Sequence, residues 1–257
     1  MIPQPVVDLV EHRGEISRRH PWETARAEFF LRLCVGDGLA SRSVLDVGAG
    51  DAWFASCFCE RYPRDNVVCW DAGYTAGRVL TMQSAPGLTY VAAAPEGPFD
   101  LVLLLDVIEH VQDDAAFLRD VLARLRSGGT AIVSVPAWPW LYSPHDVHLG
   151  HCRRYSPAAA RSLLSAAGLE VEQSGGLFHS LLPARALSVL ASRLLRIRGK
   201  GTDKGRPVAD LGNWGGGAAV TRVVDGILRL EGRVSRRLAA MGMNFPGLSW
   251  WARCRKL

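Results

Sequence analysis

The chain has 257 residues, of which 48% are hydrophobic, so it is long enough to bury one large core, or one domain with an appended segment. It contains no uncharged apolar run of about 18 residues, the length that a membrane-spanning helix requires. Residues 1–8 lack the basic-then-apolar layout of a secretory signal, and the six cysteines form no C-x-x-C pair. These features predict a cytoplasmic protein with free thiols and argue against an integral membrane protein or a disulfide-rich secreted one.

The N-terminal segment, residues 1–40, is predicted to be a helical element that leads into the rest of the chain. Trp22, Phe29 and Leu33 recur at helical spacing within it. Pro21 suits the first turn of a helix, because the N–H that proline lacks would have no helical partner there. We therefore expect a helix that begins near Pro21.

A short strand, a glycine-rich turn and a helix are predicted in residues 43–61. The aliphatic run over residues 44–47 is typical of a buried parallel strand. Gly48 and Gly50 remove Cβ atoms where the backbone must turn sharply and where a ligand can approach. Nucleotide-type cofactors bind at such turns, but the dinucleotide fingerprint G-x-G-x-x-G needs a glycine where this chain has Trp53. That substitution disfavours an NAD(P)-dependent oxidoreductase.

Three more strands are predicted along the next part of the chain. The strand at 67–71 ends in Asp71, whose carboxylate can accept hydrogen bonds from both hydroxyls of a ribose. Another strand is expected at 88–93. Residues 99–105 form a continuous apolar run, typical of a strand buried on both faces, and a tip containing Asp106, Glu109 and His110 follows it. A histidine at the carboxyl end of a central strand is well placed for chemistry, although a lone histidine is more often structural.

Two of these stretches resemble motifs of a known family. Residues 46–52 resemble motif I, acidic-x-Gly-x-Gly-x-Gly, of the class I S-adenosylmethionine (SAM) methyltransferases, with Ala52 in place of the last glycine. Residues 99–111 resemble motif IV of the methyltransferase type-11 and type-23-like group. The resemblance implies an α/β fold with a doubly wound, seven-stranded, mostly parallel sheet, which is Rossmann-like, and a helical insertion before the last strand.

The resemblance also implies where the cofactor SAM would lie, across the carboxyl ends of strands one, two and four. Arg26, on an entry helix, would reach the cofactor carboxylate, and His110 would face the methyl acceptor. The chain departs from the family at residues 92–94, where alanines replace the acid that contacts adenine. The expected cofactor-binding residues are Arg26, Asp46, Gly48, Ala49, Gly50, Asp71, Ala72, Asp106 and Val107.

A helix capped by Asp113 and closed by Gly128 and Gly129 is expected next, followed by a strand at 130–135. Residues 136–155 are then predicted to form a long loop, and loops of this length are usually functional. Acid–base roles are expected for His110, His145 and His148. The loop residues expected to bind the acceptor are Trp138, Tyr142, Asp146, Arg154 and Tyr155.

The same loop also offers histidines at 145, 148 and 151, with Asp146 among them, a set that could ligate a metal. Proline and glycine interrupt the segment, so this spacing does not make the side chains converge. No metal is therefore predicted.

A helix opened by Ser156 and Pro157 and a strand from residue 169 complete the predicted core, which comprises residues 41–178 and 246–257. Residues 179–245 form a basic helical insertion before the last strand, at 248–254, and arginines of the C-terminal third supply much of the net charge of +5. Apolar residues in 183–240 recur at helical spacing opposite arginines. This pattern fits a helical cap packed on the sheet edge, or an element that binds an anionic membrane surface. Nucleic-acid binding is the weaker reading, because no binding motif accompanies the charge.

The functional hypothesis is a SAM-dependent methyltransferase that acts on a small-molecule or lipid-linked acceptor, by O- or C-methylation. A base is needed only if the acceptor is a hydroxyl or an acidic carbon. The alternative is a SAM-binding regulatory or assembly protein that no longer transfers methyl groups, which Ala52 and the missing third acid keep open. The protein is expected in the cytoplasm, either free or associated with a membrane surface.

Overall fold

The structure is a computed structural model that describes residues 19–35, 41–82, 85–197 and 215–257. The helices are α1 (Pro21–Leu33), α2 (Trp53–Arg61), α3 (Ala76–Thr81), α4 (Asp114–Ala123), α5 (Pro144–His148), α6 (Pro157–Ala166), α7 (Leu181–Ile197) and α8 (Ala218–Ala240). The strands are β1 (Ser43–Val47), β2 (Asn66–Trp70), β3 (Leu88–Val91), β4 (Phe99–Leu105), β5 (Leu125–Pro136), β6 (Leu169–Leu177) and β7 (Ser249–Lys256). Short 3₁₀ turns lie at Ile108–His110 and Pro139–Leu141.

The strands form one seven-stranded sheet in the order β3-β2-β1-β4-β5-β7-β6. The first five strands pair in parallel, and β7 is antiparallel to both β5 and β6. The predicted fold class is confirmed. The strand order reverses between β1 and β4, and ligands of doubly wound sheets bind in the crevice at such a point.

The sheet separates two hydrophobic clusters, and β4 contributes to both because successive side chains of a strand point to opposite faces. Leu101 and Leu103 join the cluster on one face, and Val102 and Leu104 join the other. All four side chains are buried. The continuous apolar run in the sequence therefore reflects burial on both faces, as expected.

Helix α1 begins at Pro21, as predicted. The backbone N–H of Trp22 donates to His20 Nδ1 at 3.2 Å, and Glu23 Oε2 accepts from the N–H of His20 at 3.1 Å. These bonds satisfy donors that the first turn would leave unpaired. The described helix spans 21–33, and the remainder of the predicted helical segment, residues 1–18 and 36–40, lies outside the described residues.

The prediction that Gly128 and Gly129 end a helix is wrong. Helix α4 starts after Asp113, whose side chain accepts from Ala116 N, but it ends at Ala123, and β5 begins two residues later. Both glycines lie in a bulge of β5, where the pairing with β4 shifts register. Gly128 has a φ of +69°, so the local glycine signal marks an irregular strand rather than a helix end.

The segment predicted as a loop, 136–155, contains the second 3₁₀ turn and the one-turn helix α5. Ser143 N donates to Asp146 Oδ2 at 3.0 Å and opens this helix. Its bounds, Pro144–His148, place His145 and Asp146 in the first turn. The helix therefore holds the side chains of His145 and Asp146, which the sequence analysis had placed on a loop.

Helices α7 and α8 lie between β6 and β7, with residues 198–214 outside the described part of the chain. The sequence is rich in glycine over residues 200–217, and most of that stretch lies outside the described residues. Helix α8 packs on α1: Thr24 Oγ1 donates to Asp225 Oδ1 at 2.8 Å, and Phe29 lies against Gly232. No helix among the described residues has the length and apolarity to span a bilayer.

Candidate functional site

The glycine turn after β1 approaches the end of β4 closely. A Cβ added at Gly48 would lie 2.7 Å from Val107 Cγ2, and Gly48 has a φ of +69°. Both facts favour glycine at this position. Ala52, at the position of the family's third glycine, also has a left-handed φ of +61°. An alanine adopts this conformation at a cost of about 1–2 kcal/mol, so the departure from the motif preserves the turn.

Asp71 fastens this turn to the end of β2. Its side chain is 1% exposed, and its two oxygens accept from Gly50 N at 3.1 Å and Gly73 N at 2.7 Å. Each oxygen keeps a second lone pair, which can accept a hydrogen bond from a ribose hydroxyl. The ribose role of Asp71 therefore stays a prediction. The bonds to the backbone add a structural role that sequence reasoning missed. Ala72, beside it, is half-buried.

Two further residues predicted to bind the cofactor lie near the turn. Asp46 is buried in the interior of β1, paired in register with Cys69 of β2 and Leu103 of β4. Ala49 lines a cavity of about 50 Å³ together with Arg26 and the residues of α1 around it. The turn is thus bounded by the sheet on one side and by α1 on the other.

Arg26 lies over the end of β4. Its Nη2 is 2.6 Å from Asp106 Oδ2, but no aligned hydrogen bond satisfies this buried nitrogen. Asp106 has a φ of +58°, and its Oδ1 accepts from Ser134 Oγ at 2.9 Å. The contact leaves Arg26 with a donor available for another anion.

A cavity of about 350 Å³ lies beside this ion pair. It is bounded by Gly48 and Asp106 at the carboxyl ends of β1 and β4, and its lining also includes four histidines. Its lining residues include His20, Trp22, Arg26, Gly48, Asp106, Glu109, His110, His145, Leu149, His151, Arg154, Phe178, Leu181, Leu248 and Ser249. This volume is in the range of small-ligand sites.

Asp146 organises one wall of the cavity without lining it. Its side chain is 0% exposed and accepts from Arg154 Nε at 2.6 Å and from Arg185 Nη2 at 3.4 Å, and its Oδ1 lies 3.1 Å from His151 Nδ1. Burial acts to raise the pKa of this carboxyl, but the hydrogen bonds from His151 and Arg154 outweigh it and hold the pKa well below its usual range. The predicted contact between Asp146 and the acceptor is therefore not what the structure gives.

Two of the three histidines predicted to be catalytic line the cavity. Burial, assisted by His151, lowers the pKa of His110 to about 4, and burial, assisted by Arg185, lowers that of His145 to about 4. Both imidazoles are thus neutral at pH 7. His148 is exposed on α5 and does not line the cavity.

Glu109 is a buried carboxyl that the described hydrogen bonds leave unpaired. Its side chain is 0% exposed, and neither oxygen has a hydrogen-bond partner. Burial, with the nearby Asp106 charge, raises the pKa of Glu109 well above its ordinary value, which favours the protonated form. Its carboxylate and the rings of His110 and His151 have potential metal-ligand atoms within 4.8 Å of one another. This set differs from the one that the sequence spacing offered.

The aromatic residues predicted to bind the acceptor hold the loop instead. Trp138 Nε1 donates to Gly247 O at 2.7 Å, Tyr142 OH to His151 O at 2.8 Å, and Tyr155 OH to Asp114 Oδ2 at 2.7 Å. None of the three lines the cavity. Among the loop residues predicted to bind the acceptor, Arg154 is the one that does.

Sequence reasoning named His151 only among possible metal ligands, and it named Glu109 only as part of the tip that follows β4. His151 carried a usable signal, a histidine five positions after an acid. Phe178 and Leu181 lie where the chain enters the insertion, and Leu248 and Ser249 lie just after the insertion ends. Nothing local in those stretches indicates that they meet at the cavity.

Comparison with known proteins shows similarity in sequence over part of the chain. The family model described as "Methyltransferase domain" matches residues 17–174. A Mycolicibacterium smegmatis protein named as a probable S-adenosylmethionine-dependent methyltransferase is 30% identical over 145 residues, 54% of this chain and 56% of that protein. The ubiquinone biosynthesis O-methyltransferase of Vibrio parahaemolyticus is 28% identical over 131 residues, 47% of this chain and 54% of that enzyme. The chain spans about half the length of the curated relatives it matches.

Solved structures share the fold over a greater length. The methyltransferase-fold subunit in the complex with the Trm112 methyltransferase activator of Haloferax volcanii has a TM-score of 0.57 at 14% identity, and 98% of each chain is covered. The [4+2]-cyclase SpnF has a TM-score of 0.50 at 14% identity, with 95% of this chain and 84% of that chain covered. At these identities the likeness concerns the fold.

Proposed function

Because the chain belongs to the methyltransferase-domain family, whose members use SAM, we propose that it transfers a methyl group from SAM to an acceptor that loses a proton in the reaction. The acceptor would be a hydroxyl or an acidic carbon of a small-molecule or lipid-linked compound. One observation carries the proposal: a single cavity of about 350 Å³ borders both the glycine turn and several histidines.

The residues at the glycine turn suit the cofactor. At Gly48 a Cβ would enter the space in front of Val107, and Arg26 has a buried donor without an aligned partner. Arg26 would bind the cofactor carboxylate, and Asp46, Gly48, Ala49, Gly50, Asp71, Ala72, Asp106 and Val107 would line the rest of the site. When bound, SAM supplies an electrophilic methyl group. The chain's own task is to orient the acceptor, exclude water and accept a proton.

A proton-accepting cavity favours O- or C-methylation. A neutral amine or a carboxylate already has a free lone pair and needs no base, whereas a hydroxyl or an acidic carbon must lose a proton. Arg154, buried in the cavity wall, would hold an oxygen of the acceptor. Leu149, Phe178 and Leu181 supply apolar surface for an aromatic or aliphatic body.

Exposed apolar side chains on α7 support the lipid-linked variant. Leu187, Leu190 and Leu194 are 68%, 49% and 58% exposed, and the sequence of α7 contains arginines and no acidic residue. The helix starts at Leu181, in the wall of the cavity. A helix of this kind can lie on an anionic membrane with its apolar face in the headgroup region. We therefore include an anionic membrane surface, contacted through 183–240, as the partner.

The proposal is tested by incubating the protein with radiolabelled SAM and a panel of phenols, catechols and polyprenylated phenols. Transfer of label to a hydroxyl or a ring carbon, with release of S-adenosylhomocysteine, is the expected result. Tight binding of S-adenosylhomocysteine without transfer to any acceptor would favour the alternative, a SAM-binding protein that is catalytically silent. Ala52, at a position that the motif gives to glycine, is the feature that keeps this alternative open.

A further inference from the structure

We propose that His151, held by Asp146, is the base that takes the proton from the methyl acceptor. The inference rests on the proposed function and assigns a residue to its proton-transfer step. In that step His151 Nε2 gains the proton and the acceptor oxygen or carbon gains the methyl group. The electron pair of the broken carbon–sulfur bond stays on sulfur.

The contact with Asp146 sets the tautomer of His151. Nδ1 lies 3.1 Å from Asp146 Oδ1, and an ionised carboxylate can only accept a hydrogen bond. Nδ1 therefore carries the hydrogen, which leaves the lone pair of the neutral ring on Nε2. Because His151 lines the cavity, this lone pair is available to an acceptor there.

Hydrogen bonds hold both the backbone N–H and the backbone carbonyl of His151. His151 N donates to Asp146 O at 2.9 Å, and His151 O accepts from Tyr142 OH at 2.8 Å. The ring packs edge-on against His110, with 4.8 Å between the centroids. Asp146 is in turn fixed by Arg154 and by the N–H of Ser143. A base held in this way loses little entropy when the acceptor binds.

Two other cavity histidines, His110 and His145, are poorer candidates. The pKa of His110 and that of His145 are lowered to about 4, and a base with so low a pKa has little driving force for accepting a proton. Of these three rings, His151 is the one with a described hydrogen bond to a carboxylate, which stabilises the imidazolium as it forms. Asp146 is a positioning residue, because it is fully buried and touches His151 rather than the acceptor.

Charged and titratable groups on several elements surround His151. Arg154 and Arg185 both pair with Asp146, so the carboxylate offsets their repulsion toward the imidazolium. The titratable or charged groups near the ring are Asp146, Arg154, Arg185, His110, His145 and Glu109.

The tautomer is measured first, since it requires no acceptor. Nitrogen-15 NMR of the histidine rings is recorded on the full chain with S-adenosylhomocysteine, and His151→Gln assigns the signal. We expect the neutral form of the ring to carry its hydrogen on Nδ1 and to have a bare Nε2. A ring with hydrogen on Nε2 would overturn the proposal.

The second measurement is chemical rescue with an acceptor found in the screen described above. His151→Ala should lower kcat by about 10²–10⁴-fold, the usual range for a lost general base, with a smaller change in KM. Added imidazole should restore part of the rate, which loss of a purely structural side chain would not allow. His179→Ala, at a ring outside the cavity that hydrogen-bonds Pro246 O, is the matched control and should retain wild-type activity.

Three outcomes separate the possibilities. Unchanged kcat in a folded His151→Ala protein overturns the base assignment and leaves the methyl-transfer proposal standing. Absence of transfer by the wild type to every acceptor overturns the proposed function itself, whatever the tautomer. Loss of wild-type activity on dialysis against a chelator, with recovery on adding Zn²⁺, would make His151 a metal ligand with Glu109 and His110 and would overturn its role as a base.

Discussion

Arg26 Nη2 and Asp106 Oδ2 lie 2.6 Å apart, which joins α1 to the end of β4 beside the glycine turn. Asp106 is also held by Ser134 Oγ, so the carboxylate is fixed and the arginine is the partner able to move. An arriving carboxylate would find Arg26 close by and only partly satisfied. The ion pair therefore keeps an anion-binding side chain in place before the cofactor binds.

Replacing Arg26 with Gln should weaken S-adenosylhomocysteine binding by about 10–100-fold, because a hydrogen bond to a charged group contributes about 1.5–3 kcal/mol. Isothermal titration measures the change. Arg32→Gln, on the same helix but paired with Glu28 at an exposed site, is the control and should bind as the wild type does. Equal affinity of the Arg26 variant would remove this residue from the cofactor site.

Gly48→Ala should destabilise the protein by about 2–4 kcal/mol, from the left-handed backbone and the close approach to Val107. Urea unfolding gives the value, and S-adenosylhomocysteine affinity should fall with it. Gly77→Ala, in α3 with no neighbouring atom within 4 Å, should be at least as stable as the wild type. A Gly48 variant of normal stability would contradict the geometry of the turn.

Stability should fall as the pH drops from about 6.5 to about 4, since His110 and His145 have a pKa of about 4 in the folded chain against about 6.5 when unfolded. In that window the unfolded chain binds more protons, so the free energy of unfolding rises with pH, by at most about 1.4 kcal/mol per pH unit for each histidine. Asp146 acts separately. Its folded pKa is lowered, so its contribution is present above about pH 4 and is lost below it.

Urea titrations at several pH values between 7 and 4.5 measure the slope. His110→Gln should make it shallower, and the double variant with His145→Gln shallower still. A slope that is the same in all three proteins would show that these rings are not kept neutral by burial.

The wild type should sediment with vesicles that contain phosphatidylglycerol and remain in solution with phosphatidylcholine alone. Replacing both Leu187 and Leu190 with Asp should reduce binding at least tenfold, because two exposed apolar contacts are lost and negative charge is added. Leu80→Asp, on α3 and 87% exposed, is the matched control. Equal binding by the double variant would exclude α7 as the lipid contact.

The sequence predicted those features that depend on neighbouring residues. The start of α1 at Pro21, the cap at Asp113 and the glycine turn after β1 all follow from local chemistry, and the structure has each of them. The strand order was accessible only through the family resemblance, since periodicity does not determine which strands pair. The helix end predicted at Gly128 was wrong because the local sequence around a glycine does not distinguish a helix end from a strand bulge.

The site was harder to predict because its geometry depends on residues far apart in the chain. The sequence predicted that Asp146 binds the methyl acceptor. In the structure its carboxylate instead pairs with Arg154 and with Arg185 of α7, which are distant from it in sequence or lie on another element. His151 gained its position from that same carboxylate. Asp71 likewise showed its bonds to Gly50 and Gly73 only once the turn had folded back on β2.

The packing of Phe29 against Gly232 links α1 to the segment inserted before β7, so the insertion cannot be removed without affecting α1. Helix α1 carries Arg26 at one point and rests on α8 at another, so the element nearest the donor side is supported by the segment inserted before β7. A minimal domain built by excising residues 179–245 would keep all seven strands and still lose the support of α1. Chimeras that exchange the insertion between relatives should therefore alter affinity for the methyl donor as well as the choice of acceptor.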